Sequence, residues 1–162
     1  MEEGEFDILI DSHRTIPAGL KSKMFRDEEF VMAQRKGHPR GSAPPNLFEY
    51  CNLNHLVVSS SRARFWGYMD DHLAKLGVSR RISLTVPQAG VVADILQDTN
   101  LVCTMPKMLI DRYEDRIDTL PLPFHSDPFR LAVAWHPRDD TDLGVQWLLE
   151  KILSLDPRRP GP

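Results

Sequence analysis

The stretch SRRISLTVPQAGVVADILQDTNLVCTMP, Ser79 to Pro106, decides how the rest of the chain is read. Ile82, Leu84 and Val86 alternate with polar neighbours and stop at Pro87, the period-two pattern of a strand. Ala89 to Gln97 follows as a short run of helix formers, and Leu101 to Thr104 is a second apolar run closed by Pro106. A strand, a helix and a strand in about 28 residues form a βαβ unit, because two parallel strands need a crossover of that kind. In open parallel sheets, ligands sit beyond the carboxyl ends of the strands. Here those ends are Val86-Pro87-Gln88 and Cys103-Thr104-Met105, so these two turns are where function is sought first.

Working outward, 162 residues with 41% hydrophobic content can bury one core or two smaller ones joined by hinges. A formal charge of −3 gives no field to attract a phosphate backbone, and no segment is basic enough for a nucleic-acid arm. No run of about 18 apolar residues spans a membrane. The acidic start, Met1-Glu2-Glu3-Gly4-Glu5, lacks the basic and apolar parts of a secretory signal, so a cytoplasmic location is expected. Cys51 and Cys103 lie far apart among apolar neighbours without a CxxC spacing, which fits reduced, buried thiols.

Before the central stretch, Phe6 to Ile10 reads as a buried strand that begins almost at residue 1, so the start looks cut. Lys21 to Phe25 and Glu29 to Gln34 read as two strands with a charged turn, Arg26-Asp27-Glu28, between them. Arg40 to Pro45 has the composition of a linker and is the first expected hinge. Asn46 to Cys51 can form a helical turn or two, and His55 to Val58 is a short strand. Phe65 to Leu76 is a helix with Met69, Leu73 and Leu76 on one stripe and Gly77 at its C-cap. After the central stretch come a helical Lys107 to Tyr113, a strand from Ile117 to Leu122 and a second hinge-like stretch, Pro123 to Pro128. Phe129 to Trp135 alternates as a strand. Asp142 to Leu155 is an amphipathic helix capped by Thr141 or Asp140, with Val145, Leu148, Leu149, Ile152 and Leu155 on its core face. Outer pieces that must pair with each other around a central α/β segment describe a two-lobed body, of the kind that closes over small molecules.

In order along the chain, FDILI, GLKSKMFRDEEFVMAQRKGHP, NHLVVSSS, DDHLAKLGVSRRISLTVP, TNLVCTMPKML and FRLAVAWHPRDDTDLGVQWLLEKI resemble the inducer-binding domain of LysR-type transcriptional regulators, over roughly residues 5 to 155. The pattern looks most like the branch that senses aromatic acids or flavonoid-like inducers. The resemblance implies an α/β, periplasmic-binding-protein-like two-lobed fold with mixed sheets and an incomplete first lobe. Domain I would comprise residues 1–39 and 126–162, and domain II residues 40–125. It also implies a small-molecule effector, no cofactor, association with related effector domains and no enzymatic activity. The family's winged helix-turn-helix does not precede Met1, so direct DNA binding by this chain is not expected.

On the family pattern, Ser59, Ser60 and Ser61 line the effector cleft after the first strand of domain II, Gln88 after the second and Thr104 after the third. Hydroxyls, an amide and free backbone N–H groups are suitable chemistry for a carboxylate or phenol. Phe65, beside Trp66, is the candidate for stacking on an aromatic effector. The plainer alternative is that the serines and Gln88 only cap the helices that follow them.

Elsewhere the patterns point away from chemistry. The histidines His13, His38, His55, His72, His125 and His136 show no metal-ligand spacing, and His38-Pro39 and His136-Pro137 read as hinge residues. Asp70-Asp71 reads as a solvated helix face, and Trp135 and Trp147 are expected to pack on each other. The first expectation is an effector-binding domain for an aromatic acid or phenol. The second is a remnant that keeps association surfaces but no ligand site.

Overall fold

The computed structural model describes residues 6–59 and 68–155. These divide into two compact units, one made of the chain up to Glu28 together with the chain from Pro128, the other of Glu29–Asp127.

In the first unit, β1 (Ile8–Ser12) and β2 (Lys21–Glu28) flank β8 (Phe129–Trp135) in an antiparallel sheet of order β1-β8-β2. Register runs from Ile8 opposite Trp135 to Ser12 opposite Leu131. β2 carries a bulge between Met24 and Arg26, and Phe25, at the bulge, is buried. The expected turn at Arg26-Asp27-Glu28 is therefore part of β2, which pairs on to Phe129. Helix α5 (Leu143–Leu153) is capped by Asp142, whose carboxylate accepts the Val145 N–H at 2.9 Å, rather than by the expected Thr141 or Asp140. Val145, Leu149, Ile152 and Leu153 bury against Phe25 and Val133. Leu148 and Leu155, expected in that stripe, are exposed, because Leu153 takes the inward position in the last turn. Trp147 is 60% exposed with the Lys151 ammonium 5.9 Å from its ring centre, whereas Trp135 donates its indole N–H to Asp140, so the expected packing of the two rings is not the arrangement seen.

The second unit holds a five-stranded mixed sheet, built from β3 (Phe30–Arg35), β4 (Asn54–Val58), β5 (Arg81–Val86), β6 (Val102–Pro106) and β7 (Ile117–Pro121) in the order β5-β4-β6-β3-β7. β4 is parallel to both β5 and β6; β3 is antiparallel to both β6 and β7. The strands of the Ser79–Pro106 stretch thus run parallel, as read, but β4 lies between them. Its crossover is a 3-10 turn, Ala89–Val91, followed by α3 (Val92–Gln97).

β3 belongs to this central unit, although it was expected in the first segment of domain I, and the units divide at Glu28/Glu29 rather than near residue 40. The physical reason lies in the supposed linker. Buried Gln34 donates to the Gly41 carbonyl at 2.8 Å and accepts from Arg40, while Arg40 also reaches the Ala43 carbonyl, so the segment is tied to β3. His38 and His136 each sit inside a unit, not where the units divide. His38 bonds the Asn100 carbonyl through Nε2, and His136 caps a 3-10 turn.

Side chains alternate across β6. Cys103 and Met105 face a cluster with Val31, Leu56, Val92, Leu96 and Ile110. Val102 faces a second one with Met32, Tyr50, Leu73 and Leu120. Each fully buried Leu, Val or Ile contributes about 1.5–3 kcal/mol. The second cluster is roofed by α1 (Leu47–Asn52), opened by an Asn46/Glu49 capping box, and by α2 (Tyr68–Lys75). Gly77, at φ 72°, ends α2, and the Val78 N–H returns to the Leu73 carbonyl at 3.1 Å. Met69 and Leu73 are buried as expected; Leu76, third in that stripe, is exposed at the turn. α4 (Lys107–Ile110) follows β6 directly.

Candidate functional site

Three adjacent parallel strands, β5, β4 and β6, end on the same side of the central sheet, about 5 Å from one to the next. Their ends bring together three of the residues read from the sequence: Gln88 after β5, Ser59 after β4 and Thr104 near the end of β6. Ser59 is held in register because its N–H donates to the Val86 carbonyl at 2.9 Å. Gln88 is exposed and extended, at φ −136° and ψ 142°, and its side chain makes no capping hydrogen bond to the turn that follows. The capping explanation for its amide is thereby removed. Ser60, Ser61, Phe65 and Trp66 lie outside the described residues.

Thr104 is half-buried, on the face of β6 shared with Val102, and its Oγ1 lies 2.7 Å from the Tyr50 hydroxyl. Behind that bond is a polar assembly that sequence reasoning missed. Arg80 Nη1 is 3.3 Å from the same Tyr50 hydroxyl, and its Nε and Nη2 each bind one oxygen of Asp70 at 2.8 Å. Asp70 and Arg80 are both buried, so the solvated-face reading is corrected for Asp70, while Asp71 is exposed as expected. The available signal was helical spacing: Asp70 lies next to Met69 and one turn from Leu73, so it shares their inward side.

His55, on β4, closes the assembly from below. It is fully buried, with Nε2 2.7 Å from the Tyr50 carbonyl and its ring 4.6 Å from the Tyr50 ring. Phe124 meets Tyr50 edge-on at 5.3 Å. Nε2 must donate to that carbonyl, which leaves Nδ1 as a bare acceptor, and Nδ1 is buried without a hydrogen-bond partner. Burial pushes the imidazole down to about 4, outweighing the bond to Tyr50, so the ring is neutral at physiological pH.

Burial likewise raises the Tyr50 phenol. For Arg80, burial acts against the charge, but the Asp70 hydrogen bonds and the neighbouring charges outweigh it, and the guanidinium stays charged. Burial lifts the Cys103 thiol to about 12, which makes it inert, and raises Cys51 as well. Both cysteines are free. Among the described residues, no cluster of His, Cys, Asp and Glu could hold a metal ion, and no helix is long and apolar enough to cross a membrane.

The LysR substrate binding domain family matches residues 1–155, and the chain belongs to that family. The HTH-type transcriptional activator NagR of Ralstonia sp is 27% identical over 157 residues, which cover 96% of this chain and 52% of NagR. The chain thus spans about half the length of the curated relatives it matches. Among solved structures, the regulatory domain of MexT from Pseudomonas aeruginosa superposes with a TM-score of 0.80 at 25% identity, covering 94% of this chain and 74% of that one. The effector binding domain of a BenM variant gives a TM-score of 0.73 at 13% identity, covering 94% of this chain and 72% of that one, a likeness of fold. The fold is the periplasmic-binding-protein-like α/β fold of effector-binding domains, and the curated relatives are transcriptional regulators, not enzymes.

Proposed function

We propose that this chain is the sensing part of a LysR-type transcriptional regulator, acting in the cytoplasm, and that it binds a small aromatic acid or phenol at the carboxyl ends of β5, β4 and β6. The observation that carries this reading is the exposed Gln88 amide, which makes no capping bond and stands on the same side of the sheet as Ser59 and Thr104. An amide and two hydroxyls across three strand ends suit a carboxylate or phenol with a flat ring between them. Ser60, Ser61 and Phe65 complete the site in this reading. With a charge of −3, the chain would not grip DNA itself; it would bias the regulator by associating with related effector domains. The association-only remnant is the less favoured reading, since the turn after β5 keeps an exposed Gln88 amide that caps nothing, at the same end of the sheet as Ser59 and Thr104.

The test is isothermal titration of the 162-residue chain with benzoate, salicylate and phenol, repeated on Gln88→Ala. Saturable binding that weakens about 5- to 150-fold in the variant is expected for a lost buried amide contact. Binding of equal strength in both proteins removes Gln88 from the site, and no binding of any of the three refutes the aromatic reading.

A further inference from the structure

On the reading that Thr104 touches the effector, the side chains behind it decide what its hydroxyl can offer. A guanidinium carries donors and no acceptor, so Arg80 Nη1 donates to the Tyr50 oxygen at 3.3 Å. Asp70 holds the guanidinium in that attitude through the bidentate pair on Nε and Nη2. The Tyr50 hydroxyl has one proton of its own, and the phenol keeps it, since burial raises its pKa. Tyr50 is fully buried, and besides Arg80 the hydrogen-bond partner of its hydroxyl is Thr104 Oγ1, 2.7 Å away. A proton turned away from Thr104 would be buried without an acceptor, at a cost of about 1–3 kcal/mol. Tyr50 therefore donates to Thr104. The Thr104 oxygen accepts that bond, and its own proton points elsewhere, on a half-buried residue near the end of β6.

We propose that Asp70, Arg80 and Tyr50 are positioning residues whose hydrogen bonds run in one direction and fix Thr104 as a donor toward the effector. A ligand that accepts there is favoured over one that donates. The site thus discriminates a carboxylate, which only accepts, from the isosteric amidinium, which only donates.

The experiment uses the full chain with benzoate and benzamidine as paired probes. Thr104→Val is expected to weaken benzoate about tenfold, the equivalent of one hydrogen bond, and benzamidine, which has no acceptor to offer, less than about twofold. Thr104→Ser is expected to restore the preference. Tyr50→Phe, with Thr104 intact, is expected to reduce the benzoate-to-benzamidine ratio several-fold, and in the Thr104→Val background it is expected to change nothing further. Additive losses in the double variant, or an unchanged ratio in Tyr50→Phe, overturn the proposal. A second measurement needs no ligand. Proton NMR is expected to show a slowly exchanging hydroxyl that Tyr50→Phe removes and Thr104→Val shifts. A slow hydroxyl proton that survives Tyr50→Phe, or the lack of any in the wild type, overturns the assigned direction. If neither probe binds, the aromatic-acid reading fails by itself, and the NMR result still decides the direction.

Discussion

Lowering the pH from 7.5 to 5 should destabilise the central unit, chiefly through one side chain, His55. In the folded protein its pKa is held at about 4 by burial, against an ordinary 6.5. Between those values the unfolded chain takes up the proton and the folded chain does not, so the unfolded state is favoured as pH falls. The contribution is fully present above 6.5 and is lost progressively on the way down to 4. Integrating between the two pKa values gives a loss of about 2 kcal/mol at pH 5 and about 3 kcal/mol at pH 4. Desolvation also lowers His38, which adds a loss of the same sign. The assay is urea unfolding at pH 7.5 and pH 5, for the wild type and for His55→Gln, which keeps an N–H for the Tyr50 carbonyl but cannot titrate. The wild-type midpoint should fall at pH 5 with little change in slope, and the variant should lose about 2 kcal/mol less than the wild type. Equal losses in the two proteins would refute the assignment of the pH dependence to His55.

Three further outcomes follow from the same geometry. Arg80→Met leaves the Asp70 carboxylate buried without its bidentate partner and should cost about 3–5 kcal/mol in denaturant melts, while Asp70→Leu combined with Arg80→Met should recover most of the loss. Gln88→Ala should leave the melting free energy within about 0.5 kcal/mol, because the amide caps nothing, so any loss of affinity in that variant reports on the site alone. Gly77→Ala should cost about 1–2 kcal/mol by thermal melting, purely from the left-handed backbone at φ 72°, since a Cβ there meets nothing within 4 Å.

What could be read from the sequence, and what could not, divides along physical lines. β8 is legible at both ends because its apolar run, broken only by Arg130, is bracketed by Pro128 and Pro137. The turn at Gln88 is legible because Pro87 marks where β5 stops, whereas Thr104, read as a strand end, lies inside β6, which runs on through Pro106 paired with β3. The segment 40–45 looks like a linker because Arg, Gly, Ser and Pro carry no periodicity, but its order comes from hydrogen bonds to Gln34, a partner that local composition does not reveal. Asp70 looks solvated for the same reason: its partner, Arg80, is ten residues away and reaches it only after Gly77 turns the chain back. Pattern reports burial and turning, whereas pairing between polar side chains has no period.

That distinction bears on what the polar assembly is for. A buried ion pair is weak evidence of stabilisation, because desolvating both charges offsets most of their attraction, and an apolar pair of similar volume often does as well. An unpartnered nitrogen such as His55 Nδ1 is a net cost. Both sit beside Tyr50, which packs in the cluster that also takes in Val102 of β6. The cluster on the opposite face of β6 gathers around Cys103 and Met105 with Tyr113 at its margin, whereas the buried Asp70, Arg80 and His55 all gather about Tyr50. If the protein needed only a stable sheet, either face could be packed as the second one is. Placing the costly groups on the face that carries Thr104 makes sense when their return is a hydroxyl of fixed direction at a strand end. The two buried-pair variants above separate these possibilities: the apolar double variant should keep the fold and reduce the preference for benzoate over benzamidine.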